Sequence, residues 1–199
     1  MRILKKNELH IASKLLKEGG LISFPTETVF GFGVVYDNKE SYLRLINVKR
    51  RPPEKPFTMM LSDVEEIEKY ADINELSRLL IGNFMPGQFT IILKAKENLP
   101  DYVVSREGNV GIRIPDDDFI RELIREVGKP LLVPSANRSG EPPLVSSNDV
   151  AAFFENEIDA VIEGKSISNI PSTIVLVDEQ VHLIREGLIK KELIDKIVK

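Results

Sequence analysis

Apolar residues recur at steps of three and four over 8–17, 39–49, 74–84 and 116–127, and this spacing predicts helices. Asn7 stands where a cap would open the first of them, and Gly19-Gly20 where it would stop. Between these stretches lie short, nearly continuous apolar runs: "LISF" (21–24), "FTMML" (57–61), "FTIILK" (89–94), "VGIRI" (110–114) and "PLLVP" (130–134). Runs of that length bounded by Gly, Pro and polar residues read as buried strands. Further helices are predicted at 63–70, 147–155 and 189–198, and further strands near 159–162, 173–178 and 181–185. "PTETVFGFG" (25–33) reads as a turn-rich connection, and the acidic run "PDDDF" (115–119) as the capped start of a helix. Strands alternate with helices, but several connecting helices are doubled or missing. That pattern favours an open α/β sheet of mixed parallel and antiparallel direction, flanked by helices, over a regular doubly wound one. Neither a linker nor an internal repeat divides the chain, so residues 1–199 form one expected domain.

Composition narrows the function classes. The 199 residues include 27 Lys and Arg against 31 Asp and Glu, for a net charge of −4. A chain of that balance is not a general nucleic-acid coat protein, so any polyanion site must be local. There is no cysteine, which excludes a disulfide framework and thiolate metal sites. The N-terminus alternates apolar and charged residues where a signal peptide would be continuously apolar, and no apolar run reaches the length of a membrane span. The expectation is a soluble, cytoplasmic protein without membrane attachment.

The local charge is in "KRRPPEKPF" (49–57), with four cations and three prolines in nine residues. It follows a predicted helix and precedes a strand. "PTETVFG" and "PSANRSG" follow strands, the place where open α/β sheets bind ligands. Each could also be only a capping turn or a solvated connection. His10 and His182 are isolated and read as structural or exposed. The "GFG" at 31–33 lacks the third glycine of a dinucleotide site, and no P-loop pattern occurs. Arg113 has apolar neighbours on both sides within a strand. If both faces of the sheet are covered it needs an anionic partner, either an internal carboxylate or a ligand. Arg185, just after a strand, has a guanidinium suited to a carboxylate, a phosphate or the face of an adenine ring.

Together, "GGLISFPTETVFGFG" (19–33), "KRRPPEKPF" (49–57), "MPGQFTIILK" (85–94), "VGIRIP" (110–115), "PSANRSGEPP" (134–143), "PSTIV" (171–175) and "IREG" (184–187) resemble the YrdC family of threonylcarbamoyl-AMP synthases in order and spacing. The resemblance is to the single-domain members and implies no extra C-terminal domain. It implies a twisted sheet with a concave, basic cavity. It also implies a reaction: L-threonine, bicarbonate and ATP give threonylcarbamoyl-AMP and pyrophosphate. The product serves tRNA threonylcarbamoyladenosine modification by downstream transfer enzymes. By matching position, Lys49, Arg51 and Arg113 are the implied catalytic residues. Lys49, Arg51, Lys55, Asn109, Ser135, Asn137 and Arg185 are implied at ATP; Thr26, Arg113 and Ser172 at threonine. Mg²⁺ is implied with ATP, without an evident protein ligand.

Met60 stands where the family has a histidine near threonine, and Lys55 where it has an asparagine. "FTMM" resembles the YciO-like branch, but that branch typically lacks the Lys-x-Arg pair present here. The alternatives are a module that binds tRNA or double-stranded RNA through the same cavity, and a YciO-like relative acting on another carbamoyl-type substrate. Lys49 and Arg51 are both expected to be exposed at the cavity. On that expectation, replacing either abolishes turnover and leaves the fold nearly intact.

Overall fold

The computed structural model describes residues 1–51 and 56–199. Among these residues ten strands form one sheet: β1 (Arg2–Leu4), β2 (Ile22–Phe24), β3 (Gly31–Val35), β4 (Met59–Met60), β5 (Phe89–Lys94), β6 (Asn109–Arg113), β7 (Leu131–Leu132), β8 (Ala160–Ile162), β9 (Thr173–Val177) and β10 (Val181–Arg185). Their spatial order is β1-β8-β2-β3-β7-β4-β6-β5-β9-β10. The pairs β1/β8, β2/β8, β4/β6 and β5/β9 are parallel, and the other five are antiparallel. The mixed direction read from the missing helical connections is the one observed.

Among the described residues six α-helices accompany the sheet: α1 (Leu9–Lys17), α2 (Lys39–Lys49), α3 (Glu75–Phe84), α4 (Asp118–Val127), α5 (Ser147–Phe153) and α6 (Lys191–Ile197). α4 shows why these segments form. Ile120, Leu123, Ile124 and Val127 repeat at helical spacing and are all buried. Asp117 Oδ1 accepts from the Ile120 N–H at 3.1 Å, and Gly128 closes the helix at φ 78°. The predicted helix at 63–70 is instead a tighter 3-10 segment, Val64–Lys69. Asn7 lies within a short 3-10 turn, Lys6–Glu8, so it does not cap α1.

Two strands escaped the sequence pattern. β1 is a three-residue edge strand, and β3 occupies the stretch read as a turn. Two of the five β3 residues are glycines because there is no room for more. A Cβ on Gly31 would lie 2.7 Å from Val133 Cγ1, and one on Gly33 2.6 Å from Phe24 Cε1.

The pleat divides the sheet between two cores. Phe32, Phe89, Ile91, Val110, Ile112 and Val175 belong to the larger core, with residues of α2 and α3. Leu4, Ile22, Phe24, Met60 and Leu131 belong to the smaller core, with α1 and α4. α1 and α4 pack on each other, and the strands near them are thereby covered. Further along the sheet, the alternate residues of β6, β5 and β9 face a cavity instead of a helix.

Candidate functional site

The cavity has a volume of about 490 Å³. Its floor is the exposed pleat of the sheet: Thr90 and Ile92 from β5, Asn109, Gly111 and Arg113 from β6, Ile174 and Leu176 from β9. Its walls are three connections. The β2–β3 turn supplies Thr26 and Thr28, the segment after β7 supplies Ser135, and the segment before β9 supplies Ser172. Arg51 and Arg185 also line it, as does Met60. Arg51, Arg113, Arg185, Asn109, Ser135, Thr26 and Ser172 are therefore brought together from six separate places in the chain, Asn109 and Arg113 sharing β6. Lys49 and Asn137 do not line the cavity, and Lys55 lies outside the described residues.

Arg113 answers the question its sequence left open: its partner is an internal carboxylate. Arg113 Nη2 donates to Glu27 Oε1 at 2.6 Å, and both side chains are almost wholly buried. Nη1 donates to Thr28 Oγ1 at 3.1 Å and Nε to the Gly87 carbonyl at 3.1 Å. Glu27 Oε1 also accepts from the Asp116 N–H at 3.1 Å, while Oε2 is buried with no hydrogen-bond partner among the described residues. The Thr26 hydroxyl donates to the Val29 carbonyl at 2.7 Å, which uses its one proton. The 2.8 Å contact between the two threonine hydroxyls must then run from Thr28 to Thr26. A directed chain from Arg113 through Thr28 to Thr26 fixes the turn, and neither Glu27 nor Thr28 was singled out from sequence.

Lys49 corrects a sequence expectation. It is 2% exposed and lies beneath the Ser135–Asn137 turn instead of at the cavity surface. Its Nζ donates to the Ser135 carbonyl at 2.5 Å and to the carbonyl and Oδ1 of Asn137 at 3.0 Å each. Burial, with the charge of Arg51 adding, pushes the Lys49 amine down to about 7. Against that, three acceptors match the three protons of an ammonium, which a neutral amine could not satisfy. The geometry is that of the charged form. Asn137 Oδ1 also accepts from Ser135 Oγ at 2.6 Å, and its amide donates to the carbonyls of Arg138 and Glu141. Its hydrogen-bonding capacity is thus spent on the turn.

α2 ends at Arg50, an exposed residue with φ 49°, and this left-handed step turns the chain so that Arg51 reaches the cavity. Arg51 Nη2 donates to the Pro56 carbonyl at 3.3 Å, and the guanidinium lies 5.0 Å from the Phe57 ring centre. Arg185 enters from β10 and donates twice to the Ser172 carbonyl, at 3.0 and 2.9 Å. Ser172 Oγ lies 2.8 Å from Thr90 Oγ1. Burial lowers the Arg185 pKa, and the positive charges of Arg113 and Arg51 lower it further. Arg185 therefore senses the other two guanidiniums across the same space.

No histidine lines the cavity. Among the described residues, no group of three His, Cys, Asp or Glu side chains is placed to hold a metal ion. What this arrangement can do is position and neutralise anions through guanidiniums, hydroxyls and backbone groups.

Residues 14–187 match the model of the Sua5/YciO/YrdC family, described as "Telomere recombination". The chain belongs to the Sua5/YciO/YrdC family. Among curated family relatives, a Methanocaldococcus jannaschii protein provisionally named threonylcarbamoyl-AMP synthase is 36% identical over 93% of this chain and 88% of its own. A Pyrococcus abyssi threonylcarbamoyl-AMP synthase is 31% identical over 96% of this chain but only 57% of its own. Among solved family structures, P. abyssi Sua5 complexed with L-threonine matches with a TM-score of 0.93 and 29% identity, covering 99% of this chain and 61% of that one. Escherichia coli YciO matches with a TM-score of 0.86, covering 94% of this chain and 95% of that one. At 23% identity the latter likeness concerns the fold alone.

Proposed function

We propose that the chain is an L-threonylcarbamoyladenylate synthase. The observation that carries this reading is the convergence of Arg51, Arg113 and Arg185 on one cavity ringed by the hydroxyls of Thr26, Ser135 and Ser172. Relatives named threonylcarbamoyl-AMP synthase, and a family structure holding L-threonine, support it.

In this reaction the amine of threonine and bicarbonate form a carbamate with loss of water. A carbamate oxygen attacks the α-phosphorus of ATP; the bond to the bridging oxygen breaks and pyrophosphate leaves. Two anions must meet, so the main demands are positive charge and alignment, without a protein nucleophile. In our reading Arg51 and Arg185 hold the nucleotide with Asn109 and Ser135. Thr26, Ser172 and Arg113 hold the amino acid and the carbamate. Lys49 and Asn137 act from below, by holding the turn that presents Ser135. Lys55 falls outside the described residues and keeps its place beside ATP only by family position. Mg²⁺ would arrive with the triphosphate: among the described residues the one cavity carboxylate, Glu107, is no protein cage, and Mg²⁺ commonly keeps its waters and the substrate phosphates as ligands. The product would pass to cytoplasmic tRNA-modifying enzymes. Among the described residues no helix is long and apolar enough to cross a membrane.

The test is pyrophosphate release by the purified chain, with each substrate omitted in turn. Release that requires threonine, bicarbonate and ATP together is the expected result. Release without bicarbonate, or none with all three present, overturns the reading. Release with an amino acid other than threonine selects the YciO-like alternative. Salt-sensitive binding of tRNA or double-stranded RNA without turnover selects the RNA-binding one.

A further inference from the structure

β6 turns Asn109, Gly111 and Arg113 toward the cavity and Val110 and Ile112 into the core. Gly111 is the middle residue of the cavity-facing row, and nothing among the described residues requires glycine there. Its φ is not positive. A Cβ there would lie 3.7 Å from Ile92 Cγ1, 3.7 Å from Thr90 Cγ2 and 4.0 Å from Thr58 Oγ1, all ordinary contact distances. Gly31 and Gly33, by contrast, have heavy atoms within 2.7 Å of where a Cβ would stand. Glycine in a strand interior weakens the strand and commonly marks the close approach of a ligand. The steric demand therefore comes from the cavity side.

The surroundings indicate which ligand. Asn109, which our reading places at ATP, flanks Gly111 in the cavity-facing row, and the cations Arg51 and Arg185 line the same space, so an anionic group belongs there. Beyond Gly111 the floor continues as the apolar Ile92, Ile174 and Leu176. A nucleotide combines an anionic end with a flat, weakly polar one, and the volume of about 490 Å³ exceeds what a free amino acid alone would fill. We infer that Gly111 is the floor of the nucleotide subsite, its absent side chain leaving the space in which bound ATP lies against the bare β6 backbone. This inference rests on the proposed synthase activity and names a specificity-determining residue for it.

The test compares wild type with Gly111→Ala and Gly111→Val, by calorimetric titration with ATP and with L-threonine and by thermal unfolding. The expected Tm of Gly111→Ala equals or exceeds that of wild type. Its ATP affinity is expected to fall roughly tenfold or more, the effect of overfilling a close-packed contact, and further with Val. ATP affinity within about twofold of wild type in both variants overturns the inference and leaves the synthase reading standing. A Tm loss beyond about 4 °C in Gly111→Ala shows that the fold itself demands the glycine, which also overturns it. Loss of threonine binding with ATP binding intact overturns the nucleotide assignment. A wild-type chain that binds no ATP overturns the synthase reading and this inference together.

Discussion

Replacing Lys49 by alanine tests whether this cation is a ligand-binding group or part of the scaffold. The side chain is buried, and its Nζ is the donor to three oxygens of the Ser135–Asn137 turn. Truncation leaves each of them short of that donor, at about 1–3 kcal/mol apiece where no other donor compensates. Asn137 Oδ1 keeps its bond from Ser135 Oγ, so two main-chain carbonyls bear most of the loss. Relief from burying an ammonium near Arg51 works in the opposite direction. The net cost should be about 3–5 kcal/mol. For a chain of this size that is a fall in Tm of roughly 10 °C. Arg51→Ala is the control: its contacts with described residues include one 3.3 Å bond to a carbonyl and one aromatic ring, and it should cost less stability than Lys49→Ala while removing turnover. Thermal unfolding by circular dichroism, with urea titration for the free energy, measures both. A Lys49→Ala protein that melts within about 2 °C of wild type would show that the three hydrogen bonds contribute little, and the scaffold role would be lost.

Glu27→Gln removes the charge that compensates buried Arg113, and breaking such a pair from one side should cost about 3 kcal/mol or more, read as a lower urea midpoint. The double variant with Arg113→Met should recover much of that loss, and failure to do so would mean that Glu27 serves the fold independently of Arg113. Asp63 accepts from Arg125 and also from Arg121, and these hydrogen bonds hold its carboxyl well below the ordinary value of 3.8. A depressed carboxylate stabilises the folded state above its unfolded pKa and loses that contribution as pH falls toward its folded value. Stability should therefore decline below about pH 4, and Asp63→Asn should flatten that limb of the pH profile. An unchanged profile would argue that the arginines contribute no net stabilisation.

Most helices were readable because their apolar stripes are regular; caps were a weaker guide, since α1 opens after Glu8 with no side-chain cap. α2 and β5 have the bounds the pattern predicts. β3 was not readable, because Gly31 and Gly33 answer to Val133 and Phe24, residues remote in sequence. The cavity residues were legible as polar or charged positions beside strands. The depth of Lys49 was missed although a signal existed: it follows Leu45 by four positions and so shares the buried face of α2. Glu27 was beyond reach for a different reason. Arg113 announced the need for an anion, but nothing local selects one carboxylate among the 31 acidic residues as the one the fold delivers.

Two of the three Lys49 contacts are with main-chain oxygens, of Ser135 and Asn137. The anchor is thus blind to the side chain at position 135. An exchange there gives up the 2.6 Å bond from the Ser135 hydroxyl to Asn137 Oδ1, while the two main-chain tethers to the end of α2 remain. A designer who wished to redirect this site would find in Ser135 a variable contact mounted on a fixed post.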